Sequence, residues 1–355
     1  MEPKNRLNED ETKVNANIDR VRSRGFRLRD DHITLSHGAG GKASAALTAH
    51  VFQEAFGNPE GDGALAELGS GRVAMSTDSY VVNPIFFPGG SIGDLAVNGT
   101  VNDLAMMGAT RPVITASFIL EEGLDIETLH TVVADMKAAA DAAGVTIIAG
   151  DTKVVPKGKA DKLYITTAGC GATDLTVGYG EVQTGDVVIC SGPIADHGMA
   201  VMMARGDLAI TAPIESDTRA LNGAVEKLSA AATVRFMRDA TRGGVATVLN
   251  ELAQGSGKGL VLDDDSIPVR DMTRAACDML GIDPLYVANE GTFLAVVDPA
   301  DEDAALNALR AAGFEAATRI GEVADEPAGS VVLVTGFGGT RMVDMLVGDP
   351  LPRIC

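Results

Sequence analysis

The pattern of apolar and polar positions changes near residue 32. Residues 1–31 are polar, carry charges of both signs and contain five closely spaced arginines between positions 20 and 29. This composition predicts a disordered extension, with a partner-binding arm as the alternative. From residue 32 onward, short apolar runs typical of strands alternate with longer stretches typical of helices. We therefore expect the globular part of the chain to begin near residue 32.

The globular part divides into two sets of predicted elements. The first has strands at 72–78, 112–120, 145–151 and 162–172, and helices at 42–56, 91–108 and 125–143. After a polar, turn-rich stretch at 173–185, the second has strands at 186–192, 293–298 and 318–335, and helices at 217–231, 242–254 and 301–312. The order is not a strict alternation, so the pattern predicts the α+β class. We expect two mixed α/β domains, 32–172 and 173–338, and a flexible tail, 339–355.

Composition and charge narrow the class of protein. A length of 355 residues favours two domains, and a net charge of -20 argues against nucleic acid as a partner. The chain has no apolar run long enough to cross a membrane and no signal peptide, which predicts a cytoplasmic protein. The four cysteines are far apart, which argues against a zinc site of paired cysteines and against a disulfide framework.

A glycine-rich loop precedes the first predicted helix. Gly38, Gly40 and Gly41 would let the backbone approach a phosphate at the helix N-terminus. Ser36 and Ala43 exclude a Walker A loop. The spacing also fits a Rossmann turn, but no apolar strand ending in an acid follows the helix. A phosphate-binding loop and an ordinary surface loop both remain open at this point.

Several carboxylates stand at element ends or in unfavourable helix positions. Asp62 lies in a predicted turn, Asp78 ends a strand, and Asp239 precedes a helix that it could simply cap. Asn102 and Asp103 stand in mid-helix, where they are poor helix formers. Such local conflicts often mark functional sites. Carboxylates in these places are suited to Mg²⁺, which combines one or two of them with phosphate oxygens and waters.

Three further motifs carry candidate chemistry. Asp151 and Lys153 follow an apolar strand, where the lysine could meet a phosphate or move a proton, or form a surface salt bridge with the aspartate. Arg242 and Gly243 follow Asp239, and the glycine could present its N–H to phosphate. Glu290 stands before a strand, in what could be an ordinary turn.

The last residue of the chain is a cysteine. Cys355 follows two prolines, Pro350 and Pro352, which keep the preceding segment extended. Chain ends are mobile unless something holds them. The sequence therefore predicts either a thiol on a short arm that reaches a pocket or partner, or a frayed end without a role.

Taken together, these motifs resemble one ATP-dependent superfamily. It includes aminoimidazole ribonucleotide synthetase, selenophosphate synthetase and thiamine monophosphate kinase. Within it, the chain resembles the HypE family of hydrogenase maturation factors. The resemblance covers residues 32–355, and its most specific part is the terminal Pro-Arg-Ile-Cys, because the sister families lack it. The other segments that carry it are 76–90, 102–109, 118–124, 150–155, 160–169, 196–198, 239–245 and 289–291.

The resemblance implies roles for individual residues. Cys355 would carry the substrate, and Lys153 and Glu290 would be the acid/base pair beside it. The resemblance also implies ATP-binding residues, with Asp94 and Asn98 as further candidates, and Mg²⁺ ligands. The ATP set is Gly38, Gly40, Gly41, Thr77, Asn102, Asp151, Arg242 and Gly243, and the Mg²⁺ set is Asp62, Asp78, Asp103 and Asp239.

The implied reaction is the ATP-dependent dehydration of a carboxamide on the terminal thiol to a thiocyanate. Glu290 is the natural base if burial raises its pKa. The implied partners are the carbamoyltransferase HypF, which loads the thiol, and a HypC–HypD iron scaffold that accepts the cyanide. A homodimer is implied as well.

Other functions remain open at this point. Selenophosphate synthetase is disfavoured, because the chain has no cysteine before Cys170. Thiamine monophosphate kinase would leave Cys355 unexplained. A non-catalytic carrier, whose tail only presents a modified thiol, is the alternative from a different class.

Overall fold

The N-terminal half of the chain folds around a five-stranded sheet. The computed structural model describes residues 28, 36, 41–53, 64–68, 71–206, 212–346 and 354. Helix α1 (Lys42–Leu47) continues as a π-helical turn over Thr48–Gln53 and is followed by β1 (Ala64–Leu68), β2 (Gly71–Tyr80), β3 (Phe86–Phe87) and β4 (Gly90–Ser91). The half is completed by α2 (Ile92–Met106), β5 (Thr110–Glu121), α3 (Ile126–Ala143), β6 (Thr146–Val155) and β7 (Leu163–Ala172).

The five strands lie in the order β1-β2-β7-β5-β6. Only β5 and β6 run parallel, and α3 provides the crossover between them. The other neighbouring pairs are antiparallel. Along β7 the residues alternate between buried and partly buried positions, so one face of the sheet is packed and the other is more open.

The C-terminal half is built on a seven-stranded sheet of order β14-β13-β10-β12-β8-β11-β9, in which only β10 and β13 are parallel. Helices cover both faces, so successive residues of β8 and β11 enter two different apolar clusters. Its elements are β8 (Val187–Cys190), α4 (Asp196–Ala204), α5 (Asn222–Ala231), β9 (Val234–Asp239), α6 (Gly244–Ser256), β10 (Gly259–Asp263), α7 (Asp271–Leu280), β11 (Phe293–Val297), α8 (Glu302–Ala311), β12 (Thr318–Ala324), β13 (Val331–Val334) and β14 (Thr340–Val343).

Helix α2 joins the two halves. Ser91 caps its N-terminus in a reciprocal capping box with Asp94, as the first-turn position of that acid predicts. The helix packs on β2, β5 and β7 and also contacts α5 and β9. Ala105 and Met106 belong to the same apolar cluster as Phe293 of the C-terminal sheet. The helix is buried on nearly all sides because it lies between two layers.

The predicted α+β class with two mixed α/β parts is confirmed. Gly144 ends α3 in the left-handed conformation, as expected of a C-terminal glycine. The helix predicted over 217–231 begins only at Asn222, because the segment before it forms a loop held by side-chain hydrogen bonds. Strand β14 extends the sheet past residue 338, into the stretch predicted as tail, and Val343 is buried there. Over the ranges that the structure describes, no helix is both long and apolar enough to cross a bilayer.

Candidate active site

One face of β2 supplies the first polar side chains of the site. Because side chains alternate along a strand, Ser76, Asp78 and Tyr80 all point toward α2. The hydroxyl of Ser76 donates to Oδ2 of Asp103 at 2.6 Å. Tyr80 is buried, and its hydroxyl approaches Gly99 so closely that a Cβ there would lie 2.2 Å away. This close approach explains a glycine in the middle of the helix.

The second group of side chains comes from the end of β9 and the loop before β11. Asp239 is the last residue of β9 and is only 3% exposed. The N–H of Ala240 donates to the carbonyl of Thr292, and the N–H of Asn289 donates to the carbonyl of Ala240, both at 3.0 Å. These bonds place Glu290 directly beside the end of β9. The helix that follows is capped by Gly243, so the proposed capping role of Asp239 is not observed.

The turn at Arg242 and Gly243 connects this group to β2. Gly243 and Gly244 both have positive φ angles, of 77° and 61°. A Cβ on Gly244 would lie 2.5 Å from the carbonyl oxygen of Leu285, so the turn requires glycine there for space as well as conformation. The Arg242 guanidinium lies 3.8 Å from the carboxylate of Asp78. The turn therefore carries a cation from the C-terminal half to the acids of the N-terminal half.

Glu290 has an unusual electrostatic environment. Its side chain is 4% exposed, and burial raises its pKa well above the usual value. The carboxylates of Asp239, Asp78 and Asp217 raise it further, whereas Arg242 lowers it. Glu290 is therefore a carboxyl group that holds its proton to a higher pH than an exposed glutamate, as a general base that works near neutral pH requires.

The pKa of Tyr80 is affected by the same group of negative charges. Burial is the main reason that its pKa lies well above its usual value, and the carboxylates of Asp78, Asp103 and Glu290 add to the shift. Three of the four acids implied as magnesium ligands, Asp78, Asp103 and Asp239, are thus gathered in one region with Glu290. The structure brings them together from β2, α2 and β9.

The segment before α5 holds Glu290 in place, although no sequence motif predicted this role. The two carboxylate oxygens of Asp217 accept the backbone N–H groups of Glu290 and Gly291, each at 3.0 Å. A Cβ on Gly291 would lie 1.8 Å from the carbonyl oxygen of Asp217, so only glycine fits. The hydroxyl of Thr292 also donates to Asp217, at 3.1 Å. Asp217 has no neighbouring motif, so only its contacts identify it.

Asn102 has a structural role that the sequence did not reveal. Its amide nitrogen donates to the carbonyls of Arg219 and Glu290, at 3.1 and 3.3 Å, and its oxygen accepts the N–H of Leu221 at 2.8 Å. The side chain is almost fully buried. It therefore binds the loop before α5 and the Glu290 loop to helix α2. Its predicted contact with ATP stays a prediction.

Lys153 and Asp151 lie on the other side of the N-terminal sheet. The register pairs Asp151 with Ser117 of β5, and Ser117 with Thr166 of β7. Thr166 bonds the hydroxyl of Ser79, which points away from Asp78. Lys153 and Asp151 form an exposed salt bridge of 2.5 Å with each other. Within one chain, the sheet therefore separates Lys153 from the acid cluster.

Thr77 also points to this open face, and its hydroxyl donates to the carbonyl of Thr167. Gly41 is buried at the start of α1, where the following N–H, that of Lys42, donates to the carbonyl of Leu346. Four predicted site residues lie outside the described residues: Gly38, Gly40, Asp62 and Cys355.

The acid cluster suits a metal that is shared with phosphate better than an all-protein metal cage. Among the residues with described positions, no group of three or more His, Cys, Asp or Glu side chains is arranged to hold a metal ion. Mg²⁺ commonly takes one or two carboxylates and completes its shell with phosphate oxygens and water. Asp78, Asp103 and Asp239 fit that mode of binding, and the Arg242 guanidinium lies beside Asp78.

Comparisons with known proteins show the family and the fold of the chain. Two family models match the chain: the N-terminal domain of AIR synthase related protein over residues 60–173, and the C-terminal domain over residues 183–334. The chain is 48% identical to the carbamoyl dehydratase HypE of Rhodobacter capsulatus over 340 residues, which are 92% of this chain and 99% of that protein.

Two solved structures have the same fold. HypE in a crystal structure with HypF superposes with a TM-score of 0.79 at 43% identity, covering 85% of this chain and 100% of that one. HypE in complex with ATP has a TM-score of 0.77 at 44% identity, covering 91% and 100%. The superfamily and the two-domain fold expected from the sequence are thus confirmed, and the chain belongs to the carbamoyl dehydratase HypE family of hydrogenase maturation proteins.

Proposed function

We propose that this chain uses ATP to dehydrate a carboxamide carried on the thiol of Cys355, and that the resulting thiocyanate supplies a cyanide ligand to the iron centre of [NiFe]-hydrogenase. The observation that carries the proposal is Glu290, a buried carboxyl group with a raised pKa beside three aspartates. A base and a phosphate site are the two things that this reaction needs in one place.

The reaction has two requirements: phosphoryl transfer from ATP to the amide oxygen, and removal of the protons on the nitrogen. An amide oxygen leaves poorly as such, but it leaves readily as phosphate after phosphoryl transfer from ATP. The C–O bond breaks, the oxygen departs on the phosphate, and the two N–H protons must be removed as C≡N forms. Glu290 takes one proton from the nitrogen, because its raised pKa makes the carboxylate a stronger base than usual, and the departing phosphate takes the other. Its burial also keeps water from the activated carbon.

The phosphate end of the site would be formed by the acid cluster and the turn beside it. One or two of the carboxylates of Asp78, Asp103 and Asp239 would hold Mg²⁺, which when bound would neutralise charge on the transferring phosphoryl group. Arg242 lies beside Asp78 and would contact a phosphate oxygen. The backbone N–H groups at the start of α6, after Gly243, point out of a helix N-terminus and favour an anion.

Lys153 would complete the site from a second copy of the chain. In one chain it lies on the open face of the N-terminal sheet, away from Glu290. Met75 and Ile119 are large apolar residues exposed on the same face, at 49% and 40%. A homodimer that covers this face would bury them and bring Lys153 to a partner's surface.

The partners follow from the chemistry of the terminal thiol. The HypE–HypF structure of a relative supports HypF as a partner, and we propose that HypF places the carbamoyl group on Cys355. We propose a HypC–HypD scaffold as the acceptor of the cyanide. Cys190 and Cys277 would not compete for the carbamoyl group, because burial raises the pKa of their thiols to about 12 and about 11. A cytoplasmic location stays a prediction from the sequence.

The proposal is tested by ATP turnover with and without the terminal thiol. Carbamoylated wild-type protein should release phosphate in a Mg²⁺-dependent reaction. The Cys355→Ala variant should bind ATP with equal affinity and release no phosphate beyond background. If both proteins bind ATP and neither turns it over, the chain is a carrier and the proposal is wrong.

A further inference from the structure

The residue before the terminal cysteine is anchored in the interior of the protein. Ile354 is 6% exposed and belongs to the apolar cluster that includes Phe87, Met199 and Ala288. Its carbonyl oxygen lies 2.7 Å from Nε2 of His197, at the start of α4. His197 is completely buried, and Phe87 packs edge-on against its ring with 5.5 Å between the centroids. The side chain of Ile354 is therefore held by the apolar cluster, and its backbone carbonyl is held by His197.

The hydrogen bonds around His197 determine which nitrogen carries the proton. A carbonyl oxygen can only accept, so Nε2 must be protonated and donate to Ile354. Nδ1 lies 2.8 Å from the hydroxyl of Ser216 and accepts its proton. The same hydroxyl oxygen accepts the N–H of Thr218 at 3.1 Å. Burial lowers the pKa of His197 to about 4, which keeps the ring in this neutral form at physiological pH.

The site that holds Ile354 is connected to the site that holds Glu290. Ser216 fixes the ring of His197, and the next residue, Asp217, fixes the backbone of Glu290 and Gly291. The N–H of Ser216 donates to the carbonyl of Pro88, which ties this segment to the N-terminal half. Consecutive residues of one loop thus hold the end of the chain and the candidate base in a fixed relation.

We propose that His197 is a positioning residue for the reaction: its Nε2–H holds the carbonyl of Ile354 and so returns the terminal cysteine to the site after loading. The inference rests on the proposed function, because it assumes that the tail carries the substrate. When the tail leaves to be carbamoylated, a buried donor loses its partner, which is unfavourable. Consecutive Cα atoms are about 3.8 Å apart, so fixing Ile354 confines the residue that follows it.

Two substitutions at His197 separate this role from simple packing. Glutamine places an amide N–H near the position of Nε2, so His197→Gln retains a donor to Ile354. Asparagine reaches only the position of Nδ1, so His197→Asn retains the contact with Ser216 and loses the one with Ile354. Ile354→Ala removes the buried side chain from the tail side and leaves His197 and Ser216 in place.

The measurement is the rate at which iodoacetamide alkylates Cys355, followed by mass spectrometry of the C-terminal peptide in the full-length protein. We expect the rate to rise about five-fold in His197→Asn and in Ile354→Ala, as for the loss of a hydrogen bond or apolar contact, and to change less than two-fold in His197→Gln. The rate of dehydration in a single turnover should fall in His197→Asn and Ile354→Ala and fall less in His197→Gln. The affinity for ATP should not change in any of them.

Three results would overturn the inference. Equal alkylation rates in all four proteins would mean that His197 does not hold the tail. Equal losses of dehydration rate and of thermal stability in the Gln and Asn variants would mean that the histidine only packs. Unchanged dehydration in His197→Asn, with faster alkylation, would mean that the contact does not serve the reaction. If wild type itself fails to dehydrate, the proposed function is wrong, and the alkylation series still tests the anchoring of Ile354.

Discussion

Asp217 holds the backbone of Glu290: one of its carboxylate oxygens accepts the Glu290 N–H at 3.0 Å, and the other accepts the neighbouring N–H of Gly291 at the same distance. The base of the proposed reaction is therefore fixed through its main chain, which leaves its side chain available to the substrate. Burial raises the pKa of Asp217, and its hydrogen bonds to the loop favour the charged form.

The first prediction follows from this pair. In Asp217→Asn, the remaining side-chain oxygen still accepts one backbone N–H. The NH₂ group that replaces the other oxygen cannot accept the second N–H, because both groups are donors. We expect the free energy of unfolding to fall by about 1–3 kcal/mol, and dehydration to slow with ATP affinity unchanged. Asp263→Asn is the matched control, because Asp263 also accepts a backbone N–H, but in an exposed turn. An equal effect of both substitutions on dehydration would contradict the assigned role of Asp217.

The second prediction concerns the charge of Glu290. Its folded-state pKa lies above the ordinary value of 4.5, so between these two pH values the folded chain binds a proton that the unfolded chain has lost. Its contribution to stability is fully present below the unfolded pKa and is lost as the pH rises through the raised pKa. Glu290→Gln removes this dependence. We expect the variant to melt at a higher temperature than wild type at pH 8.

The same substitution should abolish the reaction. Removing a general base typically costs about a hundred-fold or more in rate. In wild type the rate should fall as the pH is lowered through the raised pKa of Glu290, because the base becomes protonated. Asp239, Asp78 and Asp217 face this carboxyl and raise its pKa, and Arg242 opposes them. A rate that is independent of pH from 5 to 9, or an active Glu290→Gln protein, would remove Glu290 from the mechanism.

The third prediction tests the placement of Lys153. If each site takes its lysine from the second copy of a dimer, Lys153→Met and Glu290→Gln proteins should both be inactive alone. Mixed and allowed to exchange subunits, they should recover about a quarter of wild-type activity, since half of the dimers are mixed and each has one complete site. Lys153→Met should keep the wild-type melting temperature, because an exposed ion pair contributes little to stability. Absence of recovery in proven mixed dimers would place Lys153 and Glu290 in the same chain's site or exclude the lysine.

The fourth prediction concerns the join between the two halves. Asn102→Ala leaves the buried N–H of Leu221 and the carbonyls of Arg219 and Glu290 without their partner, which we expect to cost about 2–3 kcal/mol of unfolding free energy. Asn98 is the control on the same helix, because it makes one bond of 3.2 Å, to the hydroxyl of Thr218. Chemical denaturation measures both, and equal losses would contradict the account.

The sequence predicted the residues that face the reaction better than those that hold them. Asp239 and Glu290 could be identified because they flank strands in recognisable motifs. Asp78 could be identified from its motif, but the predicted strand end at this residue is wrong, because β2 continues to Tyr80. The roles of Asp217 and Ser216, and the contact of Ile354 with His197, could not be predicted. They depend on contacts between segments that are far apart in the chain. Asn102 shows the converse. A poor helix former marked an unusual position, but its contacts are with the backbone of the other half.

The separation of Lys153 from the acid cluster could not be predicted from the sequence either. The motif places it two residues after Asp151, but only the register of β5, β6 and β7 decides which face of the sheet the pair occupies. A shift of one residue would reverse that face. The irregularity in the pairing of β5 with β6, between Ile114 and Thr115, makes this register invisible to a simple count along the chain.

If the terminal thiol carries the substrate through an ATP-dependent dehydration, the mass of the C-terminal peptide must change during the reaction. The most direct test is mass spectrometry of the C-terminal peptide after carbamoylated protein has been incubated with ATP and Mg²⁺. We expect this peptide to lose the mass of one water, and we expect no loss without ATP or in Glu290→Gln. A carbamoylated peptide that stays unchanged, in protein that binds ATP, would contradict the claim.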